Sequence, residues 1–338
     1  MPNTVPTCLT VLMFCLLRAS AQDLPPVGRF DHKPLTESSG IVKSLRYPGV
    51  WWTHNDSGNA PTLFATTLKG KLIREVPLPS ASNLDWEDLA LDERGNLWVG
   101  DIGDNLKWRS SLTLYRVADP DPRSRVTARA TPFVFQYPDS PHDAETLLAR
   151  EGHLFVVNKV PPPEVTTVYV ADPAVRTPLS PGVPGQSLPA PLSRVTSLKF
   201  AFPITGGDVS RDGKRLALTG CDGLYVFVGD GKVEDLLRQQ PHLLWHKGSR
   251  QVEAAGFDGY DVYPRRLRTH RSPGATSALS GRIPSVLRLL HACRGSSANF
   301  HFGVFPTFAG IVLTNEQRQL FRVSAAAYEN APQVNVSP

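Results

Sequence analysis

Cysteine is scarce in this chain of 338 residues: four in all, beside two methionines. Cys8 and Cys15 fall in an N-terminal apolar stretch, so only Cys221 and Cys293 remain for the body of the protein. Two thiols are too few for a thiolate metal site and allow one disulfide at most, which excludes a disulfide-built scaffold. There is no GxSxG, no glycine-rich phosphate loop and no HExxH, so the commonest hydrolase, nucleotide and zinc-protease signatures are missing. Long hydrophobic runs are missing too. The main one, "CLTVLMFCLL", has ten residues, about half of what a membrane-spanning helix needs.

That run leads into "RASAQD", where Ala19-Ser20-Ala21 supplies the small residues of a signal-peptide cleavage site. Residues 1–21 are therefore expected to be removed, leaving a secreted or periplasmic chain that starts at Gln22, with no membrane span. No Lys or Arg precedes the run, and Phe14 stands where a lipidated Cys15 would need a small residue.

The formal net charge is +5, but residues 262–309 hold seven arginines and no Asp, Glu or Lys, so everything else carries −2. No basic stripe interleaved with aromatics occurs elsewhere, and nucleic-acid binding is not expected.

What the chain does have is a repeat. Five segments open with a polar, acid-containing turn that runs into a strand: "ESSGIVKS" (37–44), "DWEDLALD" (85–92), "DAETLLAR" (143–150), "GGDVSRDG" (206–213) and "VEAAGFDG" (252–259). Each is followed by an apolar run ending in a polar residue, such as "NLWVGD" (96–101) or "HLFVVNK" (153–159), and then by a third run such as "LTLYRVA" (112–118). Four units show a fourth strand, as in "LIREVPL" (72–78) and "TSLKFAF" (196–202). Short runs of β-branched, aromatic and leucine residues bounded by Gly, Asp, Asn and Pro are strand chemistry. Four strands per repeat is the arithmetic of a propeller blade. The prediction is an all-β, five-bladed β-propeller over 22–328, with six blades as the alternative. The segment "PVGRFDHKP" (26–34) should pair with blade five and close the ring, and 329–338 reads as a loose tail.

In a propeller the first strand of each blade lines the central channel, so residues at its start crowd around one axis. Glu37, Glu87, Glu145, Asp208 and Glu253 are assigned to that ring. A second polar ring is expected from the ends of the second strands: Asn55, Asp101, Asn158, Thr219 and Asn315. Converging carboxylates raise one another's pKa, and burial adds to the effect. They can protonate, pair with Lys43, Arg109 or Lys159, satisfy backbone N–H groups of neighbouring blades, or hold a hard cation. Oxygen donors without His or Cys suit Ca²⁺ or Mg²⁺ rather than Zn²⁺.

Other candidates carry weaker signals. His54 could serve as a base beside Asp56 in "HNDSGNA" (54–60), and Asp56 or Asp101 could activate a water, although such loops are more readily Asx-type turns at the top of strands. Trp51, Trp52, Trp86 and Trp98 sit in strands as core residues, with Trp86 also placed to stack a sugar at the channel mouth.

The combination "SSGIVKSLRYPGVWWTHNDSG", "DWEDLALD", "GDIGDN" and "VLTNEQRQLFRV" resembles a family of secreted bacterial β-propeller proteins and, more distantly, esterase-like phytase and strictosidine synthase/gluconolactonase-type propellers. The resemblance covers about 30–259 and 310–323. It implies carboxylate metal ligands at Glu37, Glu87, Glu145 and Glu253, with Asp208 departing to a shorter acid. The segment 260–309 departs altogether. It reads either as a basic insertion with a helix at "IPSVLRLLHAC" (283–293) or as sequence read out of frame. The resulting expectation is a monomer that binds a small-molecule or extracellular ligand at an acidic channel mouth with a divalent cation. The alternatives are a metal-dependent hydrolase of esters, lactones or phosphoesters, and an extracellular protein-interaction scaffold.

Overall fold

The computed structural model describes residues 22–175, 189–247, 252–259, 310–315 and 318–337. Residues 1–21, expected to be a signal peptide, and the segment 260–309 with Cys293 lie outside the described residues. The described part is a five-bladed β-propeller, with five small sheets in a ring. Blade 1 is Gly40–Lys43, Trp51–His54, Thr62–Thr66 and Leu72–Pro77. Blade 2 is Trp86–Leu91, Asn96–Asp101, Leu112–Ala118 and Thr131–Gln136, with Ala190–Pro191 added in parallel. Blade 3 is Ala144–Arg150, His153–Asn158, Thr166–Ala171 and Ser193–Leu198. Blade 4 is Gly206–Val209, Arg215–Gly220, Gly223–Val228 and His242–Lys247, and blade 5 begins with Val252–Phe257, Ile311–Asn315 and Gln319–Val323.

The blades stack face to face, so a middle strand has neighbours on both sides and its hydrophobic alternation disappears. "WWTH" and "NLWVGD" show this, being buried almost throughout. The outer strand "LIREVP" of blade 1 alternates instead. Five apolar clusters result, one in each gap between blades. Trp52, Leu63 and Val76 of blade 1, for example, pack against Leu89, Leu97 and Val99 of blade 2.

The first strands touch in cyclic order, blade 5 returning to blade 1. This ring is tight enough to require glycine. A Cβ on Gly206 would lie 2.5 Å from the Glu253 carbonyl oxygen of the next blade, and one on Gly256 would lie 2.7 Å from the Ile41 oxygen.

Closure follows the expected route. Gly28–Arg29 pairs antiparallel with Gln319–Val323 as the outer strand of blade 5. The Arg318 guanidinium donates to the Phe30 and His32 carbonyls at 2.8 and 2.6 Å, and Phe30 and Leu35 are buried in the cluster between blades 5 and 1. Just before, Gln22–Asp23 lies parallel to the last strand of blade 4, so the N-terminal segment laces two blades.

The C-terminal tail is not loose. Lys199 N donates to the Val336 carbonyl at 2.8 Å, Leu243 N to Pro332 at 2.9 Å and Val334 N to Pro241 at 3.0 Å. Val336 is buried in the cluster between blades 3 and 4. Two apolar valines among polar residues are enough to dock a strap whose composition resembles a loop.

Candidate functional site

First strands run away from one end of the channel and second strands return to it, so the starts of the former and the ends of the latter share that end. In blades 2, 3 and 5 the register between them slips by one residue at Glu87, Glu145 and Glu253. Trp86 faces Asp101 while Asp88 faces Gly100, and the same skip separates Ala144 from Thr146 and Val252 from Ala254. A β-bulge re-aims the side chain it carries, and three glutamates occupy equivalent bulges.

The two remaining members of the expected ring, Glu37 and Asp208, occupy positions not equivalent to those three. Asn55 Oδ1 accepts from Thr36 N at 2.8 Å and Glu37 N at 3.3 Å, just as Asp101 accepts from Leu84 N and Asp85 N. Glu37 is therefore the counterpart of Asp85, and Ser39 takes the place of the bulged glutamate in blade 1. Asp208 lies further along its strand, tied to backbone. It accepts from Val209 N and from Phe257 N of blade 5, both at 2.8 Å. Asp88 does the same between blades 2 and 3, accepting from Leu89 N and Leu147 N. The ring of five is thus not a set of equivalent positions. Glu253 lies near Cys221, whose thiol pKa is raised by burial and then by the Glu253 and Asp222 charges, with Lys159 and Glu145 acting on the same thiol.

Asp56, Asp85 and Glu87 converge so that one oxygen of each lies within 4.8 Å of the others. Gly103 backs them closely: a Cβ there would lie 2.2 Å from Glu87 Oε1 and 2.5 Å from Asp85 Oδ2. Burial lifts Asp85 to about 6, with the Asp56 charge adding to it. Glu87 is pushed well up, by burial and then by Glu145, Asp56 and Asp85. Glu145 is pushed by burial to about 7, although Lys159 opposes the rise. Lys159 bonds Glu145 Oε1; burial pulls the lysine pKa down, and Glu145 together with Asp143 and Glu87 more than offsets it, for a net rise. Glu145 is only 5% exposed, and its second oxygen, Oε2, is buried without a hydrogen-bond partner.

The second polar ring serves the backbone. Asn55 Nδ2 donates to Pro34 O at 2.7 Å, Asn158 Oδ1 accepts from Thr167 N at 2.6 Å, and Thr219 Oγ1 donates to Gly223 O at 3.2 Å. Asp101 is buried and ion-paired with Arg109 at 2.8 Å. The Asn315 side chain lies outside the described residues. His54 is buried edge-on to Trp86, its Nδ1–H donating to the Asn55 carbonyl at 2.8 Å. Burial lowers its pKa to about 4. A neutral imidazole in the core is packing, not a solvent-facing base. Trp86 is 0% exposed, so it offers no sugar platform.

Asp143 was not among the expected ring residues, yet its charge acts on Asp56, Asp85, Glu87 and Glu145. A repeated Asp-x-Glu, "DWE" at 85–87 and "DAE" at 143–145, is the sequence signal for both Asp85 and Asp143.

No protein-family model matches the chain, and no curated protein matches it. Among solved structures, it is similar to a chain of a nidogen/laminin complex, with a TM-score of 0.37, 10% identity, and 65% of this chain and 68% of that chain covered. It is also similar to U3-55K, with a TM-score of 0.34, 10% identity, and 69% and 57% covered. Among the described residues, no helix is long and apolar enough to cross a membrane.

Proposed function

We propose that this propeller binds a divalent cation, calcium, at the acidic end of its channel, and that the ion holds a small-molecule or extracellular ligand there. One observation carries the reading: Asp56, Asp85 and Glu87 meet within 4.8 Å beside a buried, unpartnered Glu145 oxygen. Like charges so close, partly withdrawn from water, are unfavourable without a counter-charge. Lys159 answers only one oxygen of Glu145. The donor set is all oxygen, which calcium accepts in flexible geometries of six to eight ligands, whereas magnesium demands a stricter octahedron. Export belongs to the same reading, since calcium sites of modest affinity are those of extracellular modules.

The hydrolase alternative needs a base next to the ion. His54 is buried and neutral and Asp101 is held by Arg109, which leaves Asp56 alone for that role. Calcium-dependent turnover of lactone or phosphoester substrates, lost in Glu87→Gln, would favour it.

The test is a thermal melt of the full chain in chelator and in calcium. At a hundredfold excess over Kd, binding should stabilise the fold by about 2.7 kcal/mol, and Glu87→Gln and Glu145→Gln should each remove most of that gain. No response to calcium would leave the scaffold reading.

A further inference from the structure

We propose, on the premise that the mouth holds a divalent ion, that its ligand is a neutral saccharide, gripped by hydroxyls on the ion and by one sugar face on Trp108. Trp108 is 74% exposed, and Leu106 and Leu84 are 69% and 65% exposed. All three belong to blade 2 at the acidic end. Leu84 directly precedes Asp85, while Leu106 and Trp108 sit on the hairpin between Asn96–Asp101 and Leu112–Ala118.

That hairpin is fastened rather than trailing. Lys107 N donates to Asp104 O at 2.8 Å, and Lys107 adopts the left-handed conformation at φ 56°. The buried Asp104 accepts from Arg109 N at 2.7 Å, while its own N–H donates to Asp143 at 2.9 Å. The Arg109 guanidinium donates to Gly103 O at 2.7 Å, and Gly103 is the residue pressed against Asp85 and Glu87. Trp108 is thus joined to the ion-binding carboxylates by one short, hydrogen-bonded path. An indole held out to water by a rigid turn keeps a flat apolar face available at little entropic cost.

Charge selects among ligands. Among the described residues, the cations that act on Asp56, Asp85 and Glu145 are Lys159 and Arg109, against the charges of Asp56, Asp85, Glu87, Asp143 and Glu145 themselves. One divalent ion leaves the mouth negative, so a phosphate or carboxylate ligand meets repulsion. An organic cation would compete for the carboxylates instead of joining the ion. A sugar meets neither penalty. Its hydroxyls are neutral oxygen donors for coordination positions the carboxylates leave open, and its C–H face covers an aromatic ring.

A glycan array of neutral and acidic oligosaccharides, probed with the full chain in calcium and in EGTA, tests this, with the hits measured by acrylamide quenching of tryptophan. Trp51, Trp52, Trp86 and Trp98 are buried, and Trp108→Phe gives the signal of the other five tryptophans, Trp245 included, so shielding of Trp108 is readable as the difference. The expected result is calcium-dependent binding of neutral saccharides in preference to uronates or sugar phosphates. Trp108→Ala should weaken it about tenfold and leave the calcium-induced rise in melting temperature intact. Four results would overturn the proposal: no neutral hit, tighter binding of acidic glycans, binding that survives EGTA, or unchanged affinity in Trp108→Ala. If calcium still raises the melting temperature in those cases, the ion reading stands alone. If it does not, both fall.

Discussion

The two ends of blade 2 carry the same residue type and treat it in opposite ways. At the end away from the acidic mouth, Asp92 accepts from Arg94 N, Asn96 N, Asn96 Nδ2 and Trp98 Nε1 between 2.8 and 3.0 Å. Asp119 accepts from Ser44 Oγ, Leu45 N, Arg46 N and Trp52 Nε1 between 2.7 and 3.1 Å, bridging blade 2 to blade 1. These carboxylates are filled by donors and hold turns and blades together. At the mouth, Glu145 keeps one buried oxygen unpartnered, and the charges acting on Glu87 are the carboxylates of Glu145, Asp56, Asp85 and Asp143. A structural acid brings its partners with it. The acids at the mouth are answered only in part: Asp56 accepts from Ser57 N and Glu145 is met by Lys159 on one oxygen, while Asp56, Asp85 and Glu87 still crowd one another, and under the proposed reading a cation completes them.

The comparison can be broken by exchanging what each end has. Asp119→Ala should be the most damaging change, because it strands four donors between two blades. A loss of ~3–4 kcal/mol in denaturant unfolding is expected, and a loss under 1 kcal/mol would show that the bridge is ornamental. Trp52→Phe removes one donor from the same carboxylate and puts a smaller aromatic ring in a fully buried site, so about 1–2 kcal/mol should be lost by the same measurement.

Deep in the channel, Asp208 offers an intermediate case: it is bonded to backbone, yet burial lifts it from 3.8 to about 7. The folded chain keeps a proton that the unfolded chain releases. This contribution is whole below about pH 4 and is lost as pH rises through about 7, so stability should fall across that window. Asp208→Asn should flatten that slope in melts taken across the range, and an unchanged slope would assign it to other groups. The smallest effect belongs to the mouth. In chelator, Glu87→Gln relieves repulsion and should stabilise the fold by about 0.5–1 kcal/mol, whereas a structural acid would lose stability on the same change.

The propeller was legible because each blade writes four apolar runs, and stacking buries those runs on both faces, as in "WWTH" and "HLFVVN". The closing strand was legible as a missing fourth run. The site was only half so. Glu87 and Glu145 came from their place in the repeat, but the bulges that set their aim leave no mark in composition. An offset of two residues makes Glu37 the counterpart of Asp85 and puts Ser39 at the position that carries the bulged glutamate in blades 2, 3 and 5. Asp208 matched in type while bonding one level deeper. Trp86 and Trp108 differ by burial alone: one starts a strand between two blades, and the other follows a left-handed turn at Lys107. Nothing in residue type separates those fates.

Calorimetric titration of the metal-free full chain with calcium addresses the account most directly. It predicts one ion per chain, bound more than tenfold more weakly in Glu87→Gln and unaffected by Trp52→Phe at the opposite end. A chain that takes up no calcium, or takes it up equally well without the Glu87 charge, would contradict it.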